Sequence, residues 1–427
     1  MNAVPSLALP TWFSLCLAAT AAAGPTPAEV VREGDAWRLL RGGQPYEIKG
    51  AGVSGRLAAL ADAGGNSARI WGIGHDTPAL LDEAHRLGLS VAVGLWMQPE
   101  RRGFDYGDAA AVARQQEEIL ARARPLMGHP AVLLWGVGNE VEGHGGDDAI
   151  YDAIESLAAA LQREDPHHPT MAVIAGLGED ADKARDVRDR CPSIDILGVN
   201  AYGEAPEVGD ALAAMDPPLG RPWVLTEFGP RGQWECPRTP WGTPVEQTST
   251  QKAAWTRRGY LATVAEHPDA CLGSYVFLWG DKQEATATWF GMFLADGARL
   301  AAADTMRELW TGEPPADRAP EVRGLRLDGP AAVPPGAQVI ATVDASDPEG
   351  AGLAVEWELR EASPGIAMGG DAEPRTAGVA MDLVARSADS VTLRAPRRPG
   401  PYRLFVTVRD GAGGAGTANV PLLVRAP

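Results

Sequence analysis

Ala131-Val132-Leu133-Leu134-Trp135-Gly136-Val137-Gly138-Asn139-Glu140 is an apolar run that stops abruptly on an amide and a carboxylate. Its length and its Val/Leu content read as a β-strand, and it does not stand alone. Comparable runs extend from Glu47 to Val53, Ala68 to Gly72, Ser90 to Trp96, Thr170 to Ala175, Ile194 to Tyr202, Trp223 to Phe228 and Gly273 to Trp279. Polar Ala/Glu/Arg stretches of helical period separate them, the clearest from Asp108 to Met127. Strands alternating with helices imply a parallel sheet, and eight strands are what a closed (β/α)8 TIM barrel requires. An open doubly wound sheet is the rival arrangement, but no Gly-rich phosphate loop follows the first run. Ahead of it, Trp37-Arg38-Leu39-Leu40 and Tyr46-Glu47-Ile48 flank Gly42-Gly43, the pattern of a hairpin plugging the barrel floor.

The pattern changes after Trp310. Gly312-Glu313-Pro314-Pro315-Ala316 is a linker signal, so the barrel is assigned to residues 24–316 and a second unit to 317–427. That unit carries short β-prone runs, Val339 to Val343, Leu353 to Leu359 and Tyr402 to Val408, separated by Asp/Gly/Pro turns. They predict a small all-β sandwich. Asp347-Pro348-Glu349-Gly350 and Asp410-Gly411 resemble the turns of immunoglobulin-like, PKD-type and cadherin-like modules attached to secreted enzymes. Such modules are spacers or weak binders, which directs the search for chemistry to the barrel.

With 427 residues and a formal net charge of −18, the chain has no basic run, which argues against nucleic acid as a partner. Thirteen Trp against seven Phe and seven Tyr is an unusual balance that suits stacking on sugar faces as well as cores. Residues 1–23, with the apolar run Leu7 to Ala23 and Ala21-Ala22-Ala23 before Gly24-Pro25, read as a signal peptide and predict a secreted or periplasmic protein. No Lys or Arg precedes the apolar run, which keeps an uncleaved membrane anchor open. Leu15 before Cys16 argues against a lipoprotein signal. Removal of the segment leaves Cys191, Cys236 and Cys271, compatible with one disulfide and at least one free thiol. Neither the cysteines nor His75, His129 and His144 have metal-ligand spacing, so neither metal nor cofactor is expected.

Barrel enzymes carry their reactive groups at the C-terminal ends of the strands. The fourth run ends in Asn139-Glu140; the seventh ends in Thr226-Glu227-Phe228-Gly229. Strands four and seven face each other across a barrel mouth, so both carboxylates point into one cleft. Glycosidic cleavage needs such a pair, one protonated to serve the leaving oxygen and one ionised to attack or stabilise an oxocarbenium-like centre. Glu142, Glu204 and Glu235 compete for these roles from nearby positions.

Asn-Glu after strand four with Glu after strand seven resembles clan A of the glycoside hydrolases, and Leu134 to Glu140 resembles the family 2 form in particular. The likeness covers about residues 35 to 310, without that family's usual N-terminal sugar-binding and sandwich domains. It implies a retaining β-glycosidase in which Glu140 is the acid/base, Glu227 the nucleophile and Asn139 the amide that grips the sugar 2-hydroxyl. It further implies that Arg69 steadies the nucleophile, that Tyr202 hydrogen-bonds it, and that Trp279 floors the catalytic subsite, with Asn200 among the substrate-binding residues. Each has a plainer reading: Arg69 as a structural ion-pair partner, Tyr202 as a surface aromatic, Trp279 as core. Trp96 and Trp234, with Trp71, Trp241 and Trp289, are candidate stacking platforms for a poly- or oligosaccharide, with a β-glucan as the first guess. A transglycosylase would use the same residues; a carbohydrate-binding protein on a decayed barrel and an anchored structural surface protein are the non-enzymatic rivals.

Overall fold

The computed structural model describes residues 24–142, 148–363 and 370–426. The expected signal segment with Cys16, and also His144, lie outside the described residues. Eight parallel strands close a barrel: β1 (Ile48–Val53), β2 (Ser67–Ile70), β3 (Ser90–Leu95), β4 (Val132–Val137), β5 (Thr170–Ala175), β6 (Ile196–Asn200), β7 (Trp223–Phe228) and β8 (Cys271–Trp279). β8 pairs with β1 and β7 with β6, so no edge is left open.

Alternation along the strands divides the apolar residues between two layers. Val91, Val93, Trp135, Val137, Leu197, Val199 and Leu225 face outward against helical residues such as Leu81, Leu120, Ile154 and Leu157. Ala92, Leu134, Met171, Ile196, Val224 and Tyr275 fill the lower barrel interior with Leu39 and Ala28 beneath them. The Tyr275 hydroxyl, buried there, lies 2.9 Å from Ser67 Oγ, and Ser90 Oγ donates to Ser67 Oγ at 2.8 Å, so these hydroxyls have partners.

The expected floor hairpin is a three-stranded sheet: Ala36–Arg41 pairs with Gln44–Pro45 and also with Ala28–Glu33. The additional strand escapes sequence reading because its residues are mostly charged or half-exposed. The clearest helix runs over Ala109–Ala123, with the Asp108 carboxylate accepting from the Ala110 and Ala111 amides. It gives way to a 3-10 turn at Arg124–Leu126, short of the expected Met127, where Pro125 removes a donor. Cys191, Cys236 and Cys271 are free and buried, so no disulfide joins them. Among the described residues no helix is long and apolar enough to cross a membrane.

The later strands form two antiparallel sheets around one apolar cluster that includes Trp357, Leu359, Val391, Leu393, Leu404, Val406 and Leu422. One sheet contains Glu321–Leu327, Gln338–Ser346, Ser390–Arg394 and Asp382–Arg386; the other is built on Ala354–Glu361, Gly400–Arg409 and Gly414–Val424. Two of the contacts that tie this unit to the barrel lie side by side. Arg299–Leu300 pairs with Gly414 and Ala415, so a segment ahead of the Pro-rich linker forms the edge of a sandwich sheet. Beside it, the buried Glu246 accepts from Lys252, from Thr286 Oγ1 at 2.6 Å and Thr288 Oγ1 at 2.8 Å, and from Asn419 Nδ2 at 2.5 Å. Burial alone would raise the Glu246 carboxyl, but Lys252 and Arg403 hold it below the usual range. A buried carboxylate so fully bonded is costly to break up, which fixes the two units against each other.

Candidate active site

Strand register brings the polar residues to one level of the barrel mouth. β7 and β6 pair with Glu227 opposite Asn200, and β5 and β6 with Ala175 opposite Asn200. Past β4 the chain takes the left-handed conformation at Gly138 (φ 71°) and again at Glu140 (φ 51°). For a residue with a Cβ that conformation costs on the order of 1–2 kcal/mol, and strain of this kind gathers at functional sites. The Glu140 amide donates to the Val173 carbonyl at 3.0 Å, anchoring the turn to β5.

Glu227 is 5% exposed and accepts three hydrogen bonds. Arg69 Nη1 donates to Oε1 at 2.9 Å, Trp71 Nε1 to the same oxygen at 2.7 Å, and the Tyr202 hydroxyl to Oε2 at 2.7 Å. Three donors converging on one carboxyl is the bonding pattern of an ionised, acceptor-only group. Burial, followed by the Glu227 charge, pushes the Tyr202 phenol well above its ordinary range, which keeps its proton available for that bond. Trp71 reaches Glu227 because Gly52 on β1 leaves room: a Cβ there would lie 2.7 Å from Trp71 Cη2.

Glu140 has a different setting. Its Oε1 accepts from Asn200 Nδ2 at 2.7 Å. Burial and then the Glu227 charge raise it to about 7; the Asn200 bond and Arg69 oppose the rise, while Glu142 adds to it. Asn139 joins the halves. Its Oδ1 accepts from Arg69 Nη2 at 2.6 Å and from Asn200 Nδ2 at 3.2 Å, and Thr226 Oγ1 donates to Asn200 Oδ1 at 2.8 Å. One continuous path of hydrogen bonds therefore runs from Glu227 through Arg69, Asn139 and Asn200 to Glu140.

The other expected residues divide between the site and the framework. Trp234 is 50% exposed, edge-on to Tyr202 with ring centroids 5.7 Å apart, and stands on the rim. Trp96 is half-buried against Gly72 just past β3. Trp289 is buried with its Nε1 donating to the Arg231 carbonyl at 3.0 Å, so it braces a loop and offers no stacking face. Trp279 is the clear correction: it is buried in the layer between sheet and helices, against Phe293 and Trp310, and does not floor the site. The β8–β1 register shifts between Val276 and Trp279, so the alternation that would carry Trp279 inward is broken. Phe277 takes the inward place, edge-on to Trp71 at 5.7 Å and to Tyr202 at 5.9 Å.

The rival carboxylates are accounted for. Glu142 is buried and accepts from the Ala175 amide at 2.7 Å and Lys183 at 3.2 Å. Glu235 accepts from the Gly203 and Gly232 amides, joining the loops after β6 and β7. Burial, with Glu235 beside it, raises Glu204, which makes no bond to the central path. Sequence reading missed the Trp71–Glu227 bond, although Trp71 immediately follows β2 and its strand-end position was a signal. Among the described residues no group of three His, Cys, Asp or Glu could hold a metal ion.

Neither known family models nor curated protein sequences match this chain. Solved structures do. β-Glucuronidase 2 of Bacteroides uniformis, covalently bound to cyclophellitol-6-carboxylate aziridine, superposes with a TM-score of 0.51 at 15% identity, over 94% of this chain and 48% of that one. A β-glucuronidase of Ruminococcus gnavus in complex with uronic deoxynojirimycin gives 0.50 at 17% identity, over 66% and 52%. The chain thus spans about half the length of these proteins. The likeness is one of fold, the closed parallel barrel.

Proposed function

We propose that this chain is a retaining β-glycosidase acting on a carbohydrate by double displacement, with Glu227 as nucleophile and Glu140 as acid/base. The observation that carries the reading is the contrast between two carboxyls on one hydrogen-bond path, one held by three donors and the other raised to about 7. In the first step Glu227 attacks the anomeric carbon while Glu140 passes its proton to the departing oxygen. Once Glu227 is esterified its negative charge is gone, and with it one of the influences that raise Glu140. Glu140, ionised by that transfer and kept so by the lost charge, takes a proton from the incoming water; the water's oxygen bonds to the anomeric carbon and Glu227 leaves as carboxylate. The configuration is retained. Asn139, whose Oδ1 is already engaged by Arg69 and Asn200, has its NH2 group left to donate to a sugar hydroxyl.

Glu227→Gln tests the assignment against a binding protein on the same scaffold. Turnover of 4-nitrophenyl β-glycosides should fall by roughly 10⁴-fold or more while binding of the same compounds persists. A wild-type protein that binds them without turnover contradicts the enzymatic reading. The export expected from residues 1–23 belongs to the same proposal, and N-terminal sequencing of the mature protein tests it: a start near Gly24 supports it, and a start at Met1 or Asn2 opposes it.

A further inference from the structure

The C-terminal unit does more than hang from the barrel. Its strands Ala354–Glu361 and Gly378–Val379 are joined by a long connection, of which residues 370–377 reach back to loops at the catalytic end. Asp371 pairs with Arg102 and, at 3.2 Å, with Arg101 in the loop after β3. Glu373 Oε2 accepts from the Ala285 amide at 2.9 Å, and Arg375 pairs with Asp281 at 2.7 Å, both in the loop after β8. Asp371 and Arg375 are four residues apart and can be separated by at most about 14 Å of extended chain. In barrel order β8 is followed by β1, β2 and β3, so this short bridge joins loops that flank the ends of β1 and β2. Pro374 in its middle restricts it, and the Arg360 guanidinium fastens its base by donating to the Thr376 carbonyl at 2.5 Å.

That position borders the catalytic residues. Lys282, beside Asp281, bonds Glu284 at 2.6 Å and lies 5.3 Å from the Phe277 ring centroid, and Phe277 packs edge-on to Trp71, which holds Glu227. Burial raises the Glu284 carboxyl; Lys282 opposes this, and Glu227 and Glu373 both add to it, so the bridge and the nucleophile share one electrostatic neighbourhood. The polarity of the cleft follows from the two carboxyls. Glu140, which serves the leaving group, is tied to Asn200 on β6, whereas Glu227, which takes the sugar, is held by Trp71 just past β2. The sugar that becomes attached to Glu227 then extends toward β1 and β2, under the bridge.

We propose that residues 370–377 form the end wall of the glycone pocket, so that the C-terminal unit restricts the enzyme to removing single sugars from chain ends. This rests on the glycosidase reading above. The test uses the full chain with 4-nitrophenyl β-glycosides of glucose, galactose, mannose and xylose, each beside its β-1,4-linked disaccharide counterpart. The wild type should release nitrophenol from a monosaccharide glycoside at once. From the matching disaccharide glycoside nitrophenol should appear only after a lag, while free monosaccharide accumulates. Immediate release of nitrophenol together with intact disaccharide overturns the proposal.

Removing the clamps sharpens the test. In Asp371→Ala/Arg375→Ala, direct release from the disaccharide glycoside should gain about tenfold in kcat/KM relative to the monosaccharide glycoside. Glu373→Ala, which cuts the bond to the Ala285 amide, serves if the double variant melts early and should move the ratio the same way. A folded variant of either kind with an unchanged ratio overturns the wall. Absence of turnover by the wild type on every glycoside of either length removes the glycosidase reading itself, and this inference with it, a result distinct from direct release of disaccharide.

Discussion

The two carboxyls of the barrel mouth are chemically the same group placed in opposite surroundings. Glu227 sits within β7, nearly sealed from solvent, with a guanidinium, an indole and a phenol all donating to it. Glu140 sits three residues past its strand in a left-handed turn, partly open to the cleft, with one amide donor and the negative charge of Glu227 against it. Donors and a cation stabilise the anion on one side; desolvation and a like charge stabilise the acid on the other. The division of labour is therefore set by neighbours, and changing those neighbours should blur it.

After loss of the Glu227 carboxylate, the largest effect in the comparison is expected at Glu140. Glu140→Ala should lower turnover of glycosides with poor leaving groups by about 10²–10⁴-fold, the usual contribution of general acid catalysis. Azide, which needs no general base, should restore the second step and yield a β-glycosyl azide, observable by NMR; an α-azide would place the nucleophile elsewhere. Next come the donors to Glu227. Tyr202→Phe and Trp71→Phe each remove one hydrogen bond to a charged acceptor, a loss of about 1.5–3 kcal/mol if felt fully in the transition state. That corresponds to roughly 10- to 100-fold in kcat, read from initial rates on an activated aryl glycoside. Retention of full activity by both variants would detach Glu227 from the chemistry.

Smaller effects discriminate more finely. The alkaline limb of kcat/KM should fall near pH 7, because Glu140 must be protonated to act and is raised to about 7. Glu142→Gln removes a charge that adds to that rise, so the limb should move to lower pH; a move upward or none would mean that another group titrates there. Smallest of all, Trp279→Phe should leave kcat and KM nearly unchanged while lowering the melting temperature, since Trp279 packs in the outer layer with Trp310. A large loss of kcat with unaltered stability would return that residue to the site.

The contrast between Phe277 and Trp279 also shows where sequence reading stops. Strand runs and their terminal carboxylates are local signals, and β5 and β7 begin and end at the residues the pattern predicts. Arg69 at the end of β2 and Tyr202 after β6 are legible for the same reason, because period-two alternation decides which side chains enter the mouth. Alternation fails at β8, where a register shift reverses it beyond Val276, and no feature of Tyr275-Val276-Phe277-Leu278-Trp279 announces the shift. Contacts between distant segments were equally invisible. Asp371 meets Arg102 across 269 positions, and Glu246 meets Asn419 across 173. Turn composition alone therefore made the C-terminal unit read as a spacer, although its segment 370–377 touches loops at the catalytic end.

The most direct measurement is to trap the intermediate. A 2-deoxy-2-fluoro β-glycoside with a dinitrophenyl leaving group slows both steps, the second more, and leaves the sugar bonded to the nucleophile. After digestion and mass spectrometry, the account predicts a single added fluoroglycosyl mass on the peptide bearing Glu227, linked through its carboxyl. Label on a different carboxylate, or turnover of an ordinary β-glycoside giving the α-anomer as first product, would contradict it.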